Sequence, residues 1–418
     1  MRDPRYSIAL LDWLACAARG TAEPAACAAR ELGDAVVFAG TSGHVLDFDD
    51  TYLPGIAHLS APTAPAALVV AAELGLTVGE ALDAFADGFE AMAAVARASH
   101  PALYDNGWHP TAVCGGVGAA VAAAALLEAP RSDAVAIALL RAAGVRTAFG
   151  SDGKSLQVGM AAASGVAAAR VAKAGARVPL ERAAAGFEQA TGGRYAEPAA
   201  GAAGAAGAAS AAGAAGAEGP AAAGAEPAPG AEPAPLAIAD NWIKAWPCCL
   251  QTHGAIEAAD RLDGDAPADL TVTVHPVSLQ AAAEGPEPAD GLRAKFSIPY
   301  LTAYTLLNGP PVVDSFDNVD RAAVQRAKAI EVRTDSSLLE SECVLRAGGC
   351  EGERRGPGEA GGARELARVK AALGSPQQPM DPDALRAKVE RLAGAELAGA
   401  LDDPLQPATK LLALAAIA

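Results

Sequence analysis

"PTAPAALVVAAELGLTVGEALDAFADGFEAMAAVARAS" (residues 62–99) sets apolar residues at helical spacing and interrupts them with acidic positions. A helix with one buried face needs that period, whereas a half-buried strand needs strict alternation. Thr77 stands three residues before Glu80, the spacing at which a hydroxyl and a carboxylate satisfy each other's backbone donors at a helix start. The stretch predicts helix, with one start at Thr77.

The same texture runs outward over residues 6–240. "TAVCGGVGAAVAAAALLE" and "VGMAAASGVAAARVAKAG" are small-residue helices, whose Ala/Gly faces suit close helix packing. Residues 196–235 differ. They are low in complexity, lack aromatic and branched aliphatic side chains, and predict a disordered insert. Beyond them "DLTVTVHPV", "AIEVRTD" and "ECVLRAG" alternate at period two and predict strands. Helical runs are predicted at 318–329 and 362–373, and "DPDALRAKVERLAGAELAGAL" returns to helix with Asp381 or Asp383 as its cap. The fold class is mainly α: a large all-helical domain (1–243), a smaller α+β domain (244–377), and a C-terminal helix (378–418) that returns to the first.

The 418 residues carry a formal net charge of −17, which disfavours nucleic acid and anionic membranes as partners. A locally positive pocket still admits a small anion. Arg2, Asp3, Arg5 and Asp12 interrupt any apolar N-terminal run, and the uncharged run Thr111–Leu127 is short for a span, so a cytoplasmic protein is expected. The 7 cysteines form no C-x-x-C pair, and a disulfide framework or structural zinc is not expected.

The densest polar stretch is "HVLDFDDTYLPGIAH" (44–58). On a helix His44, Asp47 and Thr51 share one face; Pro54–Gly55 ends that helix and His58 follows in a loop. The string also fits D-x-D-x-T phosphatase loops, but no hydrophobic strand precedes Asp47. It contains the D-x-D-D of terpene cyclases, whose carbocations need aromatic walls that 8 Phe, 6 Tyr and 4 Trp supply poorly. An exposed acidic helix end is the plainest alternative. Four further islands carry His109 ("DNGWHPTAVCG"), Lys154 ("GSDGKSLQVGMAAASG", in a turn before a helix), Lys244 and Cys249 ("NWIKAWPCCLQTHGAIEAA"), and Tyr300 ("KFSIPYLTAYTLLNG"). Taken singly, each of these residues is more often structural than catalytic.

In this order, "H-x-x-DFDDT…H", "GWHPT", "GxxGKxLQVGxAAxSG", "IKxxPCC" and "FSIPY" resemble the MmgE/PrpD family from residue 6 to about 395. Its members include 2-methylcitrate dehydratase, cis-aconitate decarboxylase and iminodisuccinate epimerase. The resemblance implies a helical domain, a lid domain, a pocket at their junction, a homodimer, and chemistry without metal or organic cofactor. The sequence departs from the decarboxylases at Leu53 and Cys249, where they carry histidines, and in a longer loop between Thr51 and His58.

The implied substrate is a small di- or tricarboxylate. The implied reaction is dehydration of a 2-hydroxy acid such as 2-methylcitrate, with decarboxylation, epimerisation or a non-catalytic binding role as alternatives. By motif matching, the pocket residues fall on Asp47, Thr51, His58, His109, Lys154, Lys244, Cys249 and Tyr300; by residue type, His58 is expected to transfer the proton at carbon. His109 serves the leaving hydroxyl or holds a carboxylate as an imidazolium. Asp47 orients a neighbour, Lys154 steadies developing negative charge, and Tyr300 completes hydrogen bonding from the lid. Thr51, Lys244 and Cys249 bind substrate.

Overall fold

A computed structural model describes residues 3–198, 235–262, 266–347 and 364–418. All but the ends of the predicted insert at 196–235 lies outside them. The chain divides into two compact units: residues 3–45, 49–242 and 381–418 form the first, and residues 46–48 and 243–380 the second.

The first unit is helical. Its helices before residue 198 are α1 (Arg5–Gly20), α2 (Pro24–Arg30), α3 (Ala35–His44), α4 (Ser60–Glu73), α5 (Val78–Ser99), α6 (Ala102–Asp105), α7 (Pro110–Leu127), α8 (Arg131–Leu139), α9 (Gly153–Lys173) and α10 (Leu180–Thr191). The predicted helix start at Thr77 is present, with Thr77 Oγ1 accepting from the Glu80 amide and the Glu80 carboxylate accepting from the Thr77 amide. Helix α7 is long and apolar enough to cross a membrane, yet 78% of it is buried within the protein. It packs on α4, α5 and α9.

Small residues make those approaches possible. A Cβ on Gly165 would stand 2.4 Å from the Gly116 carbonyl oxygen, and one on Gly159 would stand 2.5 Å from the Val37 carbonyl oxygen. The second contact clamps α9 to α3, and so sets Lys154 at the start of one helix relative to His44 at the end of the other. The C-terminal helix Pro382–Ala393, capped by Asp381, belongs to this unit and ties to α1 through a buried Lys388–Asp12 ion pair at 2.6 Å.

Two local readings are corrected here. The unit is not all helix, because β1 (Thr51–Tyr52) pairs antiparallel with β2 (Asn241–Trp242). Helix α3 also ends at His44, so His44, Asp47 and Thr51 share no helical face. Asp47 takes φ +52°, and this left-handed turn redirects the chain. An aspartate tolerates that conformation better than most residues.

The second unit holds a four-stranded sheet in the order β4-β3-β5-β6, with β3 (Leu270–Val274) parallel to β4 (Ile330–Thr334) and antiparallel to β5 (Cys343–Ala347). Every residue of β3 is buried, as expected of a central strand. The predicted helix over 362–373 is instead the edge strand β6 (Glu365–Val369), antiparallel to β5. Its Ala, Glu, Leu and Arg favour helix, but pairing with an open sheet edge outweighs that propensity.

Candidate active site

The centre of the first unit's polar cluster is the end of α3. His44 is 1% exposed, and its Nδ1 lies 2.9 Å from Asp49 Oδ2. The same oxygen lies 3.2 Å from Nδ1 of His58. The two rings meet edge to face at 4.5 Å. Asp49 is wholly buried. Burial works to raise its carboxyl, but the His44 and His58 rings outweigh that and hold it well below the usual carboxylate range.

His58 is placed from both ends of its loop. Its backbone N–H donates to Thr111 Oγ1 at 3.1 Å, on the first turn of α7. Two residues on, Ser60 begins α4 and bonds Asp50 through both its amide and its hydroxyl. Asp50 also accepts from Asn241 Nδ2 at 2.7 Å. Burial and the neighbouring Asp49 charge push the Asp50 carboxyl up to about 7, against those hydrogen bonds. Thr51 lies on β1 with its Oγ1 buried and without a hydrogen-bond partner among the described residues.

His109 caps α7 and stacks beside His44, ring centroids 6.1 Å apart. Its Nδ1 lies 3.1 Å from Gln157 Oε1. The Gln157 amide nitrogen donates to the Val145 carbonyl, which makes Oε1 the acceptor and Nδ1 the donor. Nε2 is then a buried acceptor, and it has no hydrogen-bond partner among the described residues. Burial, the Lys154 ammonium and the His44 ring push the imidazole well below its usual value, against the pull of Gln157. That direction favours the neutral ring over the imidazolium at His109. Lys154 is not in a turn ahead of the helix but in the first turn of α9. Its Nζ lies 5.6 Å from the Phe149 ring centroid, and that ring meets His109 edge to face at 5.0 Å.

The cluster thus offers an imidazole pair on one carboxylate, a neutral imidazole with an open acceptor, and an ammonium. His44, Asp49 and His58 also present ligand atoms within 4.8 Å of one another, the donor set of a divalent-cation site. A separate open cavity of about 240 Å³ touches Gln157 and is otherwise walled by small residues, Met160 and Arg141. It presents none of these histidines, so the chemistry belongs to the cluster.

The other expected residues belong to the second unit. Lys244 is fully buried there, and its Nζ donates to the Asp47 carboxylate at 2.5 Å and to the Asp47 carbonyl at 2.9 Å. Lys295 donates to the Leu46 carbonyl at 2.9 Å. These two lysines hold Leu46–Phe48 in that unit. Cys249 is 8% exposed, and its amide donates to the Lys295 carbonyl. The Tyr300 hydroxyl accepts from the Asp320 amide at 2.9 Å, which leaves its own proton to donate.

His44, Asp49, Asp50, Thr111 and Gln157 were given no role in the site from the sequence. All five lie inside the quoted motifs. The signal was present: three carboxylates between two histidines cannot all face the same partner.

The MmgE/PrpD N-terminal domain model matches residues 31–197, and the MmgE/PrpD C-terminal domain model matches residues 246–402. No curated protein matches the chain significantly.

Proposed function

Because the chain belongs to the MmgE/PrpD family, we propose that it is a lyase that dehydrates a small 2-hydroxy di- or tricarboxylate such as 2-methylcitrate. The observation that carries this reading is the gathering of His58, His109 and Lys154 around His44 and Asp49 in one buried cluster.

Removing a proton beside a carboxylate builds negative charge on a group that is already anionic. The reaction needs a base near neutrality and positive charge where the enolate-like anion forms. His58 is the base at carbon, backed by the Asp49 carboxylate 3.2 Å from its Nδ1. The Lys154 ammonium meets the developing charge. His109, neutral and with Nε2 open, accepts a hydrogen bond from the substrate hydroxyl and orients it. The proton taken by His58 then leaves with that hydroxyl as water, so one residue serves as base and then as acid.

The test is to incubate the purified protein with citrate, 2-methylcitrate and cis-aconitate, with and without a chelator. The expected result is rising absorbance from a conjugated alkene with a hydroxy acid, unchanged by chelator. Carbon dioxide release from cis-aconitate, without alkene formation from either hydroxy acid, would replace dehydration by decarboxylation. Solvent-proton exchange at carbon with no net loss of substrate would replace it by epimerisation. Inertness toward all three compounds would favour a binding role.

A further inference from the structure

We propose that the open cavity between α7, α8 and α9 is a second binding site, separate from the histidine cluster, for a small aliphatic carboxylate. The cavity lies wholly within the first unit.

The argument begins with a glycine. Gly116 stands in the buried interior of α7, where glycine is a poorer helix former than alanine. Close packing explains its neighbours. A Cβ on Gly115 would stand 2.8 Å from the Pro62 ring, and one on Gly118 would stand 2.7 Å from the Met92 and Thr63 side chains. A Cβ on Gly116 would meet the Ala161 carbonyl oxygen at 3.7 Å, an ordinary contact, and nothing closer among the described residues. No tight approach requires this glycine. What its missing side chain leaves is space, and Ala112, Ala138 and Ala161 wall the same space without filling it. The cavity measures about 240 Å³. At ~30 Å³ for each water of the liquid, that is room for roughly eight non-hydrogen atoms.

The polar groups of the wall are of one kind. Arg141 brings a guanidinium with no ion pair or side-chain hydrogen bond among the described residues. Ser164 brings a hydroxyl, and Gln157 brings an amide. Gln157 Oε1 is taken by His109, and one of its amide protons by the Val145 carbonyl. A primary amide has two such protons, so the second is left to donate. No acidic side chain walls the cavity among the described residues. In a chain of net charge −17 that is a local exception, and a cation with neutral donors selects an anionic oxygen.

The rest of the wall selects the body of the ligand. Its alanines and Met160 offer no hydrogen bond, so a second charged group would lie unpaired against them. A short-chain monocarboxylate meets both demands, with its carboxylate on Arg141 and its hydrocarbon against Gly116 and Ala161. Di- and tricarboxylates do not, which sets this cavity apart from the cluster.

Binding is read on the full-length protein by calorimetric titration with hexanoate, which matches the cavity in size. 1-Hexanol and hexylamine serve as its neutral and cationic counterparts. Saturable hexanoate binding is expected, about tenfold or more tighter than either counterpart. Arg141→Gln should weaken it by about tenfold or more. Gly116→Leu should abolish it by filling the cavity, while the melting temperature holds or rises. Lys154→Ala should leave it unchanged, because that ammonium belongs to the cluster.

The absence of saturable binding to the wild-type protein would overturn the proposal. So would binding that survives Gly116→Leu, or binding lost in Lys154→Ala, which would place hexanoate in the cluster. If Gly116→Leu does not fold, Gly116→Ala and Arg141→Gln decide: both should fold and both should bind more weakly, and wild-type affinity in the two would overturn the proposal. No turnover is measured, so the result stands or falls independently of the dehydratase reading.

Discussion

Asp47 and Asp49 are two residues apart in sequence and have opposite surroundings. Asp47, in the second unit, meets a permanent cation: Lys244 bonds its carboxylate and its carbonyl, and the pair is almost wholly buried. Asp49, in the first unit, meets two imidazoles, side chains that can carry either zero or one positive charge. The first pair is locked. Its Coulomb gain is set against the desolvation of both ions, so it specifies geometry more than it adds stability. The second group can change state without moving. A carboxylate becomes part of chemistry when its partners titrate, and part of the scaffold when they do not.

The widest gap between the two regions should appear in turnover. His58→Ala and Lys154→Ala should each lower kcat on the accepted hydroxy acid by about 10²–10⁴-fold, while the melting temperature stays within a few degrees. Near-normal rates would remove either residue from its role and blur the contrast.

The reverse pattern is expected at the locked pair. Lys244→Met leaves a buried uncompensated carboxylate and should cost about 3–5 kcal/mol in chemical denaturation. The double variant Lys244→Met/Asp47→Asn should recover most of that loss, since asparagine keeps the left-handed turn at φ +52°. If the single and double variants are equally unstable, the pair is not a closed unit.

Asp50 sharpens the comparison through pH. Its folded value, about 7, lies above the ordinary 3.8, so the folded protein binds this proton more tightly than the unfolded chain. That contribution is fully present below about pH 3.8 and is lost as pH rises through 7. Asp50→Asn carries no such proton, and an amide flip lets Asn241 Oδ1, which has no hydrogen-bond partner among the described residues, accept from it. Melting curves between pH 5 and 9 should therefore fall less steeply for the variant; parallel curves would refute the assignment. His109 acts on the other side, because its depressed value costs stability as pH falls below about 6.5. The smallest effect is expected from Tyr300→Phe. It removes one acceptor from the Asp320 amide and should cost about 1 kcal/mol.

The helical period of residues 62–99, the Thr77–Glu80 cap and the strands at Leu270, Ile330 and Cys343 were all legible, because each rests on spacing within a few residues. Glu365–Val369 was not. Its helix-favouring composition is overruled by a sheet edge contributed by β5, and no local rule reports an edge. The site divides in the same way. His58, His109 and Lys154 stood out as polar residues in an alanine-rich chain. The roles of Asp47 and Asp49 could not be separated from the string "DFDD", since one left-handed residue decides which unit each carboxylate joins.

The sequence alone therefore determined the helical class, the alternation that builds the second unit, and the family, all of which depend on residue type and spacing. Only the tertiary structure decided that Asp49 lies beside two imidazoles, that Lys244 pairs with Asp47, and that burial and Lys154 disfavour charge on His109. Those outcomes depend on burial and on distances of about 3 Å, set by a turn of the backbone at His44–His58 and by residues distant in the chain at Lys244–Asp47 and His109–Gln157, where charge interactions are strongest.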